Sequence, residues 1–99
     1  MVSTRAPRAA DGWRVEISTG ARKALAKLDP QAARSILTYL DAKVARAADP
    51  RRAGKPLAGS NLGNFWRYRV GDYRVVADIQ DEVVTVLVVR VGHRRDVYR

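Results

Sequence analysis

The spacing of apolar positions changes twice in the first third of the chain. Trp13, Val15 and Ile17 alternate with Arg14, Glu16 and Ser18, the period-two pattern of a strand with one face buried. Ala21, Ala24, Leu25 and Leu28 then recur at helical spacing, with Arg22, Lys23 and Lys27 on the other side. This predicts a short amphipathic helix capped by Thr19. Asp29 and Pro30 end it and start another, because Asp is a good N-cap and Pro fits the first helical position. The second stripe is Ala33, Ile36, Leu37, Leu40, Val44 and Ala47, and Asp49 and Pro50 close it near Ala48. Residues 49–64 carry Pro50, Pro56, Gly54, Gly59 and Gly63 among Arg51, Arg52 and Lys55, which reads as a basic loop. Gly54-Lys55 lacks the spaced glycines and the following Ser or Thr of a phosphate-binding loop, so no nucleotide site is expected there.

Three further strands are predicted at 65–70, 73–80 and 83 to about 92. Gly71-Asp72 joins the first two, and Gly at the first of two loop positions marks a type II′ hairpin. That turn sets Val70 opposite Tyr73, Arg69 opposite Arg74 and Arg67 opposite Val76. One face then carries Trp66, Tyr68, Val70, Tyr73, Val75, Ala77 and Ile79, and the other carries arginines. If Asp81-Glu82 is a second two-residue turn, Val89 pairs with Arg74, and Val91 and His93 join the arginine face; a one-residue slip reverses this. The expected fold is α+β: a strand, a two-helix hairpin, then a three-stranded antiparallel meander, forming a four-stranded sheet with the helices on its apolar face. The single domain covers 13–99, and the opening 1–12, without helical or strand period, is expected to be a flexible arm.

Ninety-nine residues suffice for one modest core. With no cysteine and one histidine, disulfides are excluded and a structural metal site is not expected, nor is any cofactor. Nineteen Lys and Arg against ten Asp and Glu give a net charge of +9, which favours polyanionic partners, solubility alone being the plainer reading. No stretch reaches the roughly 18 apolar residues of a membrane span and the opening has no apolar signal core, so a cytoplasmic protein with no membrane partner is expected.

Two features concentrate chemistry. Like charges directly opposite on a sheet repel, so Arg69 and Arg74 need a compensating carboxylate, an anionic ligand or splayed, solvated side chains. The chain ends Gly92-His93-Arg94-Arg95-Asp96-Val97-Tyr98-Arg99, which is either a frayed tail or a set suited to phosphodiester cleavage. In the second case arginines neutralise charge developing at phosphorus, and His or Tyr moves protons. Guanidinium stays protonated and clamps without serving as base.

Gly71-Asp72-Tyr73-Arg74-Val75-Val76-Ala77-Asp78-Ile79 and Val91-Gly92-His93-Arg94-Arg95-Asp96-Val97-Tyr98, preceded by Lys55-Pro56-Leu57-Ala58-Gly59, resemble the bacterial RelE toxins over roughly residues 13–99. The resemblance implies a small, metal-independent ribonuclease that cuts mRNA in the ribosomal A site, with the RNA 2′-hydroxyl as nucleophile. It also implies silencing by a cognate small acidic antitoxin, the toxin–antitoxin complex rather than the toxin binding operator DNA. The family's functional positions fall on Arg67 and Arg69, Arg74, Arg94 or Arg95, and Tyr98. Well-known members carry lysines where Arg67 and Arg69 stand, and arginine is a poor proton acceptor. His93 is therefore the candidate acid or base, and Tyr98 an alternative stacking surface for an unpaired base. Arg51, Arg52 and Lys55 are candidates for RNA or ribosome contact. The related ParE toxins share the fold, lack this cluster and inhibit DNA gyrase, which is the competing reading.

Overall fold

In the computed structural model, which describes residues 12–57 and 65–97, the strands are β1 (Arg14–Ile17), β2 (Lys55–Pro56), β3 (Phe65–Val70), β4 (Tyr73–Gln80) and β5 (Thr85–His93). Helices α1 (Thr19–Lys27) and α2 (Pro30–Tyr39) follow β1. The sheet order is β1-β5-β4-β3-β2; β1 runs parallel to β5 and the other pairs are antiparallel. The α+β class, the helix pair and the meander agree with the sequence reading, with five strands in place of four. The additional strand, β2, comes from the stretch read as a loop and pairs Lys55 with Arg67 and Pro56 with Trp66. Proline lacks the ladder N–H and is accepted at a sheet edge. Gly54 makes the approach possible, since a Cβ there would lie 2.8 Å from the Arg67 carbonyl oxygen and 2.8 Å from the Tyr68 ring.

Helix starts and stops follow side-chain chemistry. Ser18, rather than Thr19, caps α1, its hydroxyl accepting the Ala21 N–H at 3.1 Å. Asp29 caps α2, accepting the Gln31 and Ala32 N–H groups at 3.1 and 3.3 Å, with Pro30 at the first position. The α-helix ends at Tyr39, short of the expected Ala48, and Leu40–Ala45 continue as a wider π-helical turn. Ile36, Leu40 and Val44 explain this. They are spaced by four, and in a 3.6-residue helix each such step drifts by about 40° around the axis. Widening the turn keeps Leu40 and Val44 buried beside Ile36. Leu37, assigned to the stripe from sequence, is 46% exposed and lies outside the core.

The core joins Ala21, Leu25, Ile36, Leu40 and Val44 of the helical layer to Tyr68, Val75, Ala77, Ile79, Val86, Val88 and Val91 of the sheet, with Trp66, Val70 and Tyr73 packed at its margin. The β3–β4 register is the expected one, Arg69 opposite Arg74 and Arg67 opposite Val76. Gly71 has φ +58° and Asp72 does not share a positive φ, as a type II′ turn requires.

The β4–β5 connection departs from expectation. Asp81–Val83 form a 3₁₀ turn closed by Val84 in the left-handed region, so Gln80 pairs with Thr85. The expected partner was Val83; two added loop residues leave every side chain on its face. A bulge then places Val76 opposite Arg90 while Ala77 faces Val88, leaving Val89 as an extra residue. That single residue inverts the alternation. Val91 therefore pairs with Val75 inside the core, and His93 with Tyr73, so neither joins the arginine face.

Tyr68 ties the loop before β2 to the core. Its hydroxyl donates to the Pro50 carbonyl at 2.7 Å and its ring meets Tyr39 edge-on, centroids 6.3 Å apart. Burial, then the neighbouring Tyr39, push its phenol up to about 12. The unfolded phenol titrates at about 10, so the folded state holds the proton more tightly. This contribution is complete below about pH 10 and is lost as pH rises through about 12, a change of roughly 3 kcal/mol by linkage. Urea unfolding at pH 9 and 11.5 should show a steeper loss for the parent than for Tyr68→Phe, which should itself be less stable at pH 9 by about 1 to 3 kcal/mol for the orphaned Pro50 carbonyl.

Candidate functional site

Away from the helices, the sheet carries two adjacent rows of cross-strand neighbours. One runs Lys55, Arg67, Val76, Arg90 across β2, β3, β4 and β5; the next runs Arg69, Arg74, Gly92. Rows are spaced by about 7 Å along a strand and residues within a row by about 5 Å. Lys55, Arg67, Arg69 and Arg74 thus converge, and with Ala53, Gly54 and Tyr68 they line a pocket of about 360 Å³. Val76, 5% exposed, gives this side a small apolar patch, and Val97, 4% exposed, lies over β5. A Cβ on Gly92 would sit 3.6 Å from Val97 Cβ, so the C-terminal turn packs directly on the strand. Arg90 Nη1 donates to the Val97 carbonyl at 3.0 Å and fastens the far end of that turn.

The pocket is electrostatically unbalanced. Among the described residues, no carboxylate forms an ion pair with Lys55, Arg67, Arg69 or Arg74. Arg74 relieves its opposition to Arg69 by turning back, Nη1 donating to the Gly71 and Tyr73 carbonyls at 2.9 Å each. Asp78 shares the face but stands opposite Phe65 and accepts a bond from Gln80 at 3.0 Å. Of the three options for the arginine pair, a compensating carboxylate is therefore missing among the described residues, and an anion or solvent is left.

The other nominated residues divide. Arg51 bridges Asp49 and Asp81 and lies over the Trp66 ring at 5.9 Å. Its hydrogen bond to Asp81 comes first among the causes that raise its pKa, while the Arg51 backbone N–H holds the Asp49 carboxyl below its usual range. Its guanidinium is engaged within the fold, unlike the exposed Arg52 and Lys55. Arg94 stands beside the hairpin tip, its N–H donating to the Asp72 carbonyl at 2.8 Å and its Nε 4.0 Å from the Asp72 carboxylate. Arg95 is exposed on the same turn. His93 lies on the Tyr73 side, ring centroids 5.7 Å apart, away from the pocket. Tyr98 and residues 1–11 lie outside the described residues. Sequence reasoning missed Arg90; the available signal was a charge at the same parity as Val86 and Val88, which only a break in alternation can turn away from the core.

Three comparisons place this geometry among known proteins. Residues 15–98 match the model of the ParE toxin of type II toxin–antitoxin systems, parDE. The chain is 38% identical over 87 residues to toxin RelG of Mycobacterium tuberculosis, spanning 88% of this chain and 97% of that protein. In structure it resembles a toxin–antitoxin RelBE complex from Mycobacterium tuberculosis (TM-score 0.76, 34% identity, 89% of this chain and 98% of that one). An archaeal RelE–RelB complex from Pyrococcus horikoshii is similar at TM-score 0.63 and 25% identity, covering 86% and 98%.

Removing one member of the opposed pair should relieve repulsion. Arg69→Gln is expected to raise stability by roughly 0.2 to 1 kcal/mol in urea unfolding at low ionic strength. The gain should vanish near 1 M salt, where the screening length is about 3 Å. An unchanged or lower stability at low salt would show that the pair carries no net repulsion.

Proposed function

The chain belongs to the RelE/ParE superfamily of type II toxin–antitoxin toxins, and from that premise we propose that it is an endoribonuclease cutting mRNA in the ribosomal A site. The observation that carries this reading is the convergence of Lys55, Arg67, Arg69 and Arg74 on one pocket without an ion-paired carboxylate among the described residues. In the proposed reaction the RNA 2′-oxygen bonds to the adjacent phosphorus, the bond to the 5′-oxygen breaks, and the products are a 2′,3′-cyclic phosphate and a free 5′-hydroxyl. The 2′-hydroxyl loses a proton and the leaving oxygen gains one. Guanidinium groups stay charged through this exchange, so the arginines act by holding the non-bridging oxygens and stabilising the charge that grows on them. Arg74 is the central clamp, because it sits at the junction of hairpin tip and pocket and the two backbone carbonyls that occupy its Nη1 fix the orientation of the guanidinium, leaving Nε and Nη2 as donors. Preorganised donors need no rearrangement as charge develops.

Arg94 and Arg95 extend the cationic surface toward the RNA, Arg52 and Lys55 meet its backbone, and Tyr98 is kept as a stacking partner for an unpaired base. No metal or cofactor takes part in the proposed reaction. The net charge of +9 draws the protein to ribosomal RNA by counterion release. A small acidic antitoxin covers the cationic surface in the resting cell, by analogy with the RelB partners of the mycobacterial and archaeal relatives. Operator DNA is bound by the complex. The gyrase reading is favoured by the ParE description of the matched family model.

Inducible expression with mapping of mRNA 3′ ends, on and off ribosomes, separates the two. Cuts confined to translated frames support the nuclease; intact mRNA with arrested replication supports gyrase inhibition. Arg74→Ala should lower cleavage by about a hundredfold or more at matched protein level, and parent-like cleavage by this variant would refute the site. Joint expression with the neighbouring gene should yield a stable complex that retards operator DNA, whereas the toxin alone should not retard it specifically.

A further inference from the structure

His93 receives more hydrogen bonds than its place at a strand end requires. Its carbonyl accepts the Asp96 N–H at 2.8 Å and the Val97 N–H at 3.1 Å, and its ring Nδ1 accepts the Arg95 N–H at 3.2 Å. A side chain accepting the N–H two residues ahead, with the same residue's carbonyl accepting those three and four ahead, is the pattern of a cap, usually supplied by Asn, Asp or Ser. We propose that His93 is a positioning residue that caps the C-terminal turn and thereby sets Arg94 and Arg95 beside the hairpin tip, rather than a group that exchanges protons with RNA.

Three observations support the assignment. An Nδ1 that accepts an N–H bond carries no proton, so in the neutral ring the proton sits on Nε2 and no lone pair is left for a base. The ring belongs to the Tyr73 side of the sheet, against which it packs edge-on at 79°, while the pocket is built on the other side. The capped turn is also held at both ends, by the Arg94 N–H on the Asp72 carbonyl and by Arg90 on the Val97 carbonyl. A shift at His93 would be felt by Arg94 at the first anchor and by Arg95 between the two.

The inference rests on the ribonuclease reading for its consequence, and on backbone geometry for its substance. The test uses the full chain as parent, His93→Asn, His93→Gln and His93→Ala. Asn places an acceptor oxygen where Nδ1 lies; Gln places it too far out, at the position of Nε2, and keeps bulk. Amide exchange at Arg95 is expected to quicken about five- to tenfold in the Ala and Gln variants, the effect of losing a cap, and to stay within about threefold of the parent in His93→Asn. Cleavage on translating ribosomes should follow the same order, with His93→Asn restoring most of the parent's rate although Asn carries no titratable proton. Unchanged Arg95 exchange in both Ala and Gln variants would overturn the cap. Native exchange in His93→Asn with cleavage as low as in His93→Ala would overturn the positioning role and return the ring to the chemistry. A parent that cuts no RNA counts against the ribonuclease reading, and the exchange measurement still decides the cap.

Discussion

Arg90 is in phase with Val86 and Val88, which face the core, so β5 can present it to the opposite side only if the alternation of the strand is broken, and the break is the extra residue at Val89. Before it, Val86 and Val88 face the helices from positions opposite Ile79 and Ala77. After it, Val91 keeps the core face while Arg90 and Gly92 turn to the cationic side. Val97 packs over Gly92, and Arg90 holds the Val97 carbonyl. The C-terminal turn, its seat on the sheet and the location of the histidine all follow from this one insertion. Bulges commonly re-aim side chains next to functional sites in this way.

The cationic side is a conflict built into an otherwise self-consistent fold. The core fixes the β3–β4 register through Tyr68, Val75 and Ala77, and that register brings Arg69 and Arg74 face to face whatever their charges prefer. Arg74 lessens the conflict through backbone carbonyls at the hairpin, which costs no carboxylate and leaves the positive charge uncancelled. By contrast Arg51, whose position joins the loop to the sheet, is neutralised by two carboxylates and shielded by Trp66. The same residue type serves cohesion in one place and stored electrostatic tension in the other.

Much of this was legible in the sequence, for definable reasons. The Gly71-Asp72 turn fixes its hairpin register because two-residue loops permit few geometries, and the helix pair is announced by Asp29-Pro30. Neither the length of the 81–84 turn nor the bulge has such a signature. Val83, Val84 and Val89 are chemically alike, so an apolar run gives no hint of which residue leaves the ladder. The arginine opposition could be read; the side occupied by His93 could not, since it turns on the parity of one inserted residue. Arg51 misled because a basic residue in a Pro- and Gly-containing loop looks available until the fold brings Asp81 to it from thirty positions away.

Pro56 has an effect on the molecule's company. A sheet of valine-rich strands is prone to add further strands at its edges. On the β2 side that route is short and blunted: the edge strand has two residues, one of them a proline without a donor and the other a lysine whose charge a neighbouring copy would have to accept. The residue that makes β2 a poor strand thereby discourages edge-to-edge association on that side of the sheet.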